Sequence, residues 1–264
     1  MKPLSPSLLV VALSLIAVAS PPLAMAQTAA AAQTAATQTP ASSRTRAHVT
    51  VVRIKADMLT EWIDLQKNEV VPALKKAGVA QRSVWATAVG TSFEYTILTP
   101  FEKFAAMDSP GPLVTALGAE AAARLNAKLR KCIEVQRTYM TNRVDDLDIP
   151  AGNALVMRTV VRRVPPGKVQ DYVNFYRTDV YPALQKAKAE GRIAGSTIAI
   201  SGAGAQANEL TTTEYFNKFA DLDAGHAVAA VLGPEANAKM NAKGGPLATT
   251  VQTIIRRRVA DLSF

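Results

Sequence analysis

The pattern of hydrophobic and polar positions predicts the same series of elements twice. In the first half, alternating and β-rich runs predict four strands, and apolar residues at helical spacing predict two helical regions. The strands are predicted at residues 48–55, 83–89, 94–98 and 133–144. The helical regions lie at about 57–77 and 100–130, so the order is strand, helix, strand, strand, helix, strand.

The second half of the chain repeats this order. Its strands are predicted at residues 155–164, 193–200, 209–213 and 249–259. Its first helix follows the apolar spacing from Val169 and ends near Gly191, because glycine commonly ends helices. The second helical region is interrupted in both halves by proline or glycine, so we expect two or three short helices there instead of one long helix.

The repetition extends to the residues themselves. Three segments of the first half return in the second half in the same order along the chain. VPALKKA at 71–77 returns as YPALQKA at 181–187, and LGAEAAARLNAK at 117–128 returns as LGPEANAKMNAK at 232–243. RVDDL at 143–147 returns as RVADL at 258–262. The repeating unit is therefore roughly a hundred residues long, which is a whole domain and longer than the repeats of solenoid proteins.

A strand-helix-strand-strand-helix-strand unit forms a four-stranded antiparallel sheet with its helices on one face. The other face needs cover, and the second copy on the same chain can supply it. We therefore predict an α+β fold: two tandem ferredoxin-like βαββαβ repeats whose antiparallel sheets pack into a pseudo-dimeric α+β barrel. The first repeat is assigned to residues 46–147, the linker to 148–153 and the second repeat to 154–264. The chain should be a monomeric pseudo-dimer, with further self-association left open.

In these features the chain resembles the dimeric α+β barrel superfamily, including the NIPSNAP-like proteins, the EthD-like proteins and the antibiotic-biosynthesis monooxygenases. The resemblance covers residues 46–264 and rests on the element order, the paired copies and the Pro-Ala-Leu segments at Pro72 and Pro182. It implies a small apolar or aromatic ligand between helices and sheet or inside the barrel. Some members oxidise substrates without a metal and some bind haem. No catalytic motif of these groups is matched in this sequence.

Pro72 and Pro182 fall within predicted helices. A proline there removes the hydrogen bond to the carbonyl four residues earlier, at Asn68 and Thr178, and bends the helix. Such a bend could open a pocket, or it could wrap the helix around the sheet. The recurrence in both copies favours the second interpretation.

The N-terminal segment has the features of an export signal. Lys2 supplies a positive start, residues 8–18 form a short apolar run, and Ala24-Met25-Ala26 matches a signal-peptidase site. We predict a signal peptide at residues 1–26 and a mature chain that begins at Gln27. The Ala/Thr/Gln-rich segment 27–45 is then a disordered tether. The protein is expected to be periplasmic or secreted, with no stable membrane anchor after cleavage.

The charge of the chain limits the classes of binding partner to be expected, and its cysteine content limits the possible disulfides. The net charge of +9 could suit an anionic partner, but the basic residues are scattered, which is more typical of a solvated surface. Nucleic acid is not expected, because aromatic residues do not interleave with the basic ones. Cys132 is the single cysteine, so an intrachain disulfide is excluded. It matches Leu247 in the second copy, which predicts a buried apolar site.

Candidate ligand-binding residues come from aromatics near the expected gap between helices and sheet, from matched carboxylates and from one histidine. They are Trp62, Trp85, Glu94, Tyr172, Tyr176, Glu209 and His226. Aromatics at helical spacing are more often core than cofactor contacts. The two glutamates match at the start of the third strand of each copy. They are either costly inward charges or solvated strand ends, and we favour the second.

The sequence contains no recognisable catalytic triad, metal-ligand set or phosphate-binding loop, so the catalytic residues stay unknown. The three carboxylates at residues 145–148 are not expected to bind metal, because only Asp146 has a counterpart, Asp261. We therefore expect an exported binding protein without a cofactor, for a small apolar or aromatic ligand or a partner protein. By resemblance, the alternative is a cofactor-independent monooxygenase or a haem-binding or haem-degrading protein. Of the two histidines, His226 is a better candidate ligand than His48, because it lies in a loop.

Overall fold

The computed structural model describes residues 45–264, so the predicted signal peptide and nearly all of the predicted tether lie outside the described residues. Eight strands are present in this part of the chain. They are β1 (Arg46–Ile54), β2 (Ser83–Val89), β3 (Glu94–Phe101), β4 (Ile133–Arg143), β5 (Val156–Arg163), β6 (Gly195–Ser201), β7 (Glu209–Phe216) and β8 (Thr249–Arg258).

Eight α-helical segments connect these strands. They are α1 (Leu59–Leu65), α2 (Val71–Lys76), α3 (Pro112–Leu117), α4 (Ala119–Cys132), α5 (Val169–Phe175), α6 (Tyr181–Ala189), α7 (Ala227–Leu232) and α8 (Pro234–Gly244). The predicted βαββαβ order is confirmed in both halves. The interruption of the second helical region is also confirmed. The chain turns at Gly118 and Gly233, whose φ angles of +80° and +75° favour glycine.

All eight strands are antiparallel and close into one barrel in the order β1-β3-β2-β8-β5-β7-β6-β4. Two seams join the repeats. At one seam Trp85 of β2 lies opposite Arg258 of β8, and at the other Thr141 of β4 lies opposite Ser201 of β6. The predicted pseudo-dimeric α+β barrel is therefore confirmed, and backbone hydrogen bonds join its repeats as well as side-chain packing.

The two faces of the barrel wall have different surroundings. Successive side chains of a strand point to opposite faces, so every second residue points outward to the helices and the others point into the barrel. In the first repeat, Val52, Trp62 and Cys132 belong to the core between helices and sheet. Cys132 is fully buried, as the match to Leu247 predicted. In the second repeat, Val173, Leu184 and other residues form the equivalent core.

A π-helical turn interrupts the long helix of each repeat directly before its proline-containing segment. The turn spans Gln66–Val70 in the first repeat and Tyr176–Val180 in the second. Pro72 and Pro182 are the second residues of α2 and α6, directly after these turns, and the backbone stays helical from the turn into each segment. The predicted irregularity at these prolines is present in both copies, and it takes the form of a π turn.

The segment 145–153, which ends the first repeat and includes the linker, is held by the chain on either side of it. Asp145 accepts a hydrogen bond from the backbone N–H of Thr45 at 2.8 Å, and Asp146 pairs with Arg177 at 2.7 Å. Asp148 pairs with Arg143. Burial raises the pKa of Asp148, and the nearby guanidinium opposes that shift. The carboxylates of this segment therefore serve internal contacts.

The barrel seams predict the behaviour of a half-length fragment. In a fragment of residues 46–150, β2 and β4 lose their partners β8 and β6, and the inner face of the sheet becomes exposed. We expect this fragment to self-associate or aggregate, and light scattering of the purified fragment beside residues 46–264 measures this directly. A stable, monomeric and well-folded fragment would contradict the shared-barrel account.

Candidate functional site

A cavity of about 570 Å³ lies in the second repeat, between the outer face of the barrel wall and the helices that cover it. Residues of β5, β7 and β8 form one side, and residues of α5 to α8 form the other. The volume lies within the range of pockets that bind small organic molecules. We call this space the second-repeat cavity.

The strand side of the cavity is polar at its centre. The alternation of β5 places Arg158, Val160 and Arg162 on the outer face, and β7 adds Thr212 and Glu214. The two strands pair in register, with Arg158 opposite Glu214 and Val160 opposite Thr212. Neighbouring side chains on this face therefore alternate between charged and uncharged groups.

The helix side is mostly apolar and aromatic. Tyr172 and Phe175 come from α5, and Tyr176 comes from the π turn that follows it. Burial raises the pKa of both tyrosines, so their phenols are neutral near pH 7 and can each donate a hydrogen bond. Gly244 of α8 lets this helix approach the Phe175 ring closely, because a Cβ atom there would lie 2.6 Å from it.

Arg158 and Glu214 neutralise one another. The Arg158 Nε donates to the Glu214 carboxylate at 3.0 Å, and Nη2 donates to the same oxygen. The remaining Nη1 donates to the carbonyl of Gly225 at 3.4 Å, and the guanidinium lies over the Phe216 ring at 5.4 Å. Only 9% of the Arg158 side chain and 18% of the Glu214 side chain are exposed. This pair is thus a largely buried and satisfied part of the wall.

Arg162 differs from Arg158 although it lies on the same face of the same strand. Its Nη1 donates to the Thr250 hydroxyl at 3.1 Å. Its Nε is buried and has no hydrogen-bond partner. Among residues 45–264, no carboxylate forms an ion pair with Arg162 within 4.0 Å. The second-repeat cavity therefore contains one positive charge that the described chain leaves without a counter-ion.

Apolar side chains occupy the equivalent positions of the first repeat. The strand registers confirm the alignment of the repeats, because Val52 lies opposite Tyr95 where Arg162 lies opposite Leu210. Apolar residues of the first repeat occupy the positions of four cavity residues and pack into its core. The equivalent residues of the first and second repeats are Val52 and Arg162, Ile97 and Thr212, Leu129 and Gly244, and Ile133 and Ala248.

Three of the seven residues selected from the sequence come together at the second-repeat cavity: Tyr172, Tyr176 and His226. His226 is exposed and precedes α7, at the edge of the lining. Trp62 belongs instead to the first repeat's core, with its ring 4.6 Å from that of Tyr95.

The other three candidates lie on the inner face of the barrel wall. Trp85 was expected near the gap between helices and sheet, but its neighbours on β2 point to the helices and its own ring lies 5.9 Å from that of Tyr215. Glu94 and Glu209 are the remaining two. The favoured expectation of solvated strand ends is wrong, since only 16% and 14% of these side chains are exposed.

Arginines accompany both inner-face glutamates. Glu209 pairs with Arg163 at 2.7 Å, and Glu94 lies 3.9 Å from Arg256. Closure of the barrel turns this face of β3 and β7 inward, and the arginines offset the cost of burying the carboxylates. These four residues are therefore separated from the second-repeat cavity by the barrel wall.

Sequence reasoning missed Arg158, Arg162, Glu214 and Gly244. Each differs in character from its counterpart in the first repeat, which is His48, Val52, Thr99 or Leu129. A position-by-position comparison of the repeats would have found the exchange of a core valine for arginine. It could not have found the Arg158–Glu214 bond, which depends on the register of β5 and β7.

Comparison with known proteins agrees with this architecture. No protein-family model and no curated protein matches the chain. A proposed monooxygenase from Lactobacillus acidophilus has a similar structure, with a TM-score of 0.54 and 11% identity over 83% of this chain and 95% of that chain. An anthrone oxidase-like protein matches with a TM-score of 0.51 and 10% identity, over 81% of this chain and 91% of that chain.

A third similar structure is that of a proposed chlorite dismutase, with a TM-score of 0.50 and 10% identity over 83% of this chain and 96% of that chain. The chain thus has the dimeric α+β barrel fold, with both halves of the barrel on one polypeptide. At such low identities the likeness establishes the fold alone.

Proposed function

We propose that this protein binds a small apolar or aromatic molecule in the second-repeat cavity. The observation that carries the proposal is the difference between the repeats: the second has a cavity lined in part by polar and small residues, and the first has apolar residues packed against its core at the equivalent positions. Open space and buried polar groups lower stability, and a ligand that binds the folded state restores it. The aromatic side chains of α5 and the π turn suit a flat or apolar body.

The proposal predicts which substitution closes the site. Thr212→Ile introduces the first repeat's residue, Ile97, at the cavity wall. We expect it to weaken binding of a cavity ligand at least about tenfold by filling space, while the fold is kept. Calorimetric titration of the purified protein with a panel of apolar and aromatic metabolites first identifies a ligand, and the variant is then titrated with it.

Thr99→Ile is the matched control, because it adds the same side chain to the helix-facing side of β3 in the first repeat, outside the cavity. It should leave the affinity unchanged. Equal binding by the wild type and Thr212→Ile would contradict the location of the site. Turnover of a bound metabolite would move the protein to the enzymes, and turnover that consumes oxygen would favour the cofactor-independent monooxygenase.

Haem is the second candidate ligand, and one lining residue favours it. His226 presents an imidazole at the cavity, and imidazole is a common axial ligand of haem iron. Met240 adds a thioether to the same lining. The donor types therefore fit a haem, whose iron would supply redox chemistry when bound.

A haemin titration tests this candidate. If haem binds through His226, the wild type should give a Soret band that shifts on binding, and His226→Ala should remove the shift. His48→Ala is the control, because His48 stacks on Phe101 in the first repeat, 4.6 Å between ring centroids, away from the cavity. A protein that does not titrate with haemin would end the haem candidate and leave the organic ligand.

We also propose that the protein is exported. The proposal rests on the positive start, the apolar run and the Ala24-Met25-Ala26 site. Within residues 45–264, no helix is long and apolar enough to cross a membrane. N-terminal sequencing of the protein from its native host should give Gln27 as the first residue, in a fraction outside the cytoplasm. An intact Met1 on cytoplasmic protein would contradict export.

A further inference from the structure

We propose that the ligand of the second-repeat cavity is anionic: an aromatic or apolar carboxylate whose charged group is bound by Arg162. This inference rests on the proposed function and specifies the chemical class of the ligand. It comes from the charges that line the cavity and from the difference between the repeats at one position.

The lining has an excess of one positive charge. Arg158 and Glu214 cancel, since their bond uses Nε and Nη2 of the guanidinium. Tyr172 and Tyr176 are neutral phenols. Arg162 is then the remaining permanent charge of the cavity lining. A ligand that enters as a monoanion would make the site electrically neutral.

Arg162 is half-buried and its Nε is fully buried, at a position where the first repeat has the core residue Val52. A guanidinium there loses part of its hydration, and a carboxylate or several acceptors beside it would offset that loss. Here the only hydrogen bond of the guanidinium among the described residues goes to Thr250, and Nε has none. The described chain leaves this charge for an external group to neutralise.

A carboxylate on a flat apolar body fits these surroundings best. The planar guanidinium fork matches the two oxygens of a carboxylate. Tyr172 and Phe175 lie on the opposite side of the cavity, where an aromatic ring of the ligand can pack. Asn237 and Asn241, one helical turn apart on α8, offer amide groups for further polar atoms. An inorganic anion would satisfy the charge but would leave the apolar wall unfilled.

A pair of matched probes tests the inference. 2-Naphthoate and 2-naphthamide have nearly the same shape, and only the first carries a charge. Calorimetric titration of the purified protein should show that naphthoate binds at least about tenfold more tightly than naphthamide. Arg162→Met should weaken naphthoate binding at least about tenfold and leave naphthamide binding within about twofold. Arg162→Lys keeps the charge without the fork and should give an intermediate value.

Arg257→Met is the control for net charge. Arg257 lies on β8 with its guanidinium 5.0 Å from the Phe219 ring centroid, and it does not line the cavity. This variant removes one positive charge and should keep the wild-type preference for naphthoate. If it lost the preference to the same degree as Arg162→Met, the general surface charge and not the site would select the anion, and the inference would be overturned.

Thermal unfolding gives a second readout, and the comparison of the proteins without ligand does not depend on binding strength. Without ligand, Arg162→Met should unfold at a higher temperature than the wild type, because it replaces a half-buried guanidinium, whose buried Nε has no hydrogen-bond partner, by an apolar side chain. Naphthoate should raise the unfolding temperature of the wild type and not that of the variant. A variant that unfolds at a lower temperature than the wild type would show that Arg162 stabilises the fold through internal contacts, contrary to the inference.

The results distinguish a failure of the anionic ligand class from a failure of the proposed binding function. If both probes bind equally and Arg162→Met changes neither, the cavity binds apolar molecules and the anionic class is wrong. If neither probe binds, the inference fails together with the proposed aromatic ligand. Since haem also carries carboxylates on a flat body, the haemin titration with His226→Ala distinguishes that source from a free aromatic acid.

Discussion

The structure depends on the closure of the β-sheet by hydrogen bonds between the two repeats. β2 pairs with β8 and β4 pairs with β6, so neither repeat has a complete set of strand partners alone. Closure creates an inner face and an outer face of the barrel wall. The inner face holds Glu94 and Glu209 with their arginines, and the outer face holds the helices and the second-repeat cavity. This division between the two faces decides which side chains can contact each other.

A tandem repeat makes one half of such a barrel free to differ from the other. In a symmetric dimer, any residue placed in one helix–sheet layer appears in both. Here the first repeat keeps an apolar layer around Trp62, and the second has Arg162, Thr212 and Ala248 at the positions of apolar residues of that layer. The first repeat can stabilise the barrel while the second accommodates a ligand at a cost in packing.

The fold was predictable because its signals are local. Alternation, helical spacing, glycine at the helix interruptions and the returning segments are all visible in the sequence, and they established the βαββαβ order and the barrel. The orientation of Glu94 and Trp85 was not predictable in this way. It depends on which face of the strand points inward after closure, and a short strand whose two faces are both buried gives little signal of that. The pairing of Arg158 with Glu214 likewise depends on the register between strands distant in the sequence.

The central claim is that the second-repeat cavity, and not the first repeat, binds the ligand. Methionine methyl resonances test it directly, because Met240 lines the cavity while Met58 packs against the first repeat's core. With 13C-methyl-labelled methionine, titration with 2-naphthoate or with a ligand found by screening should shift the Met240 resonance saturably and leave Met58 in place. A shift of Met58 with Met240 unmoved would contradict the account.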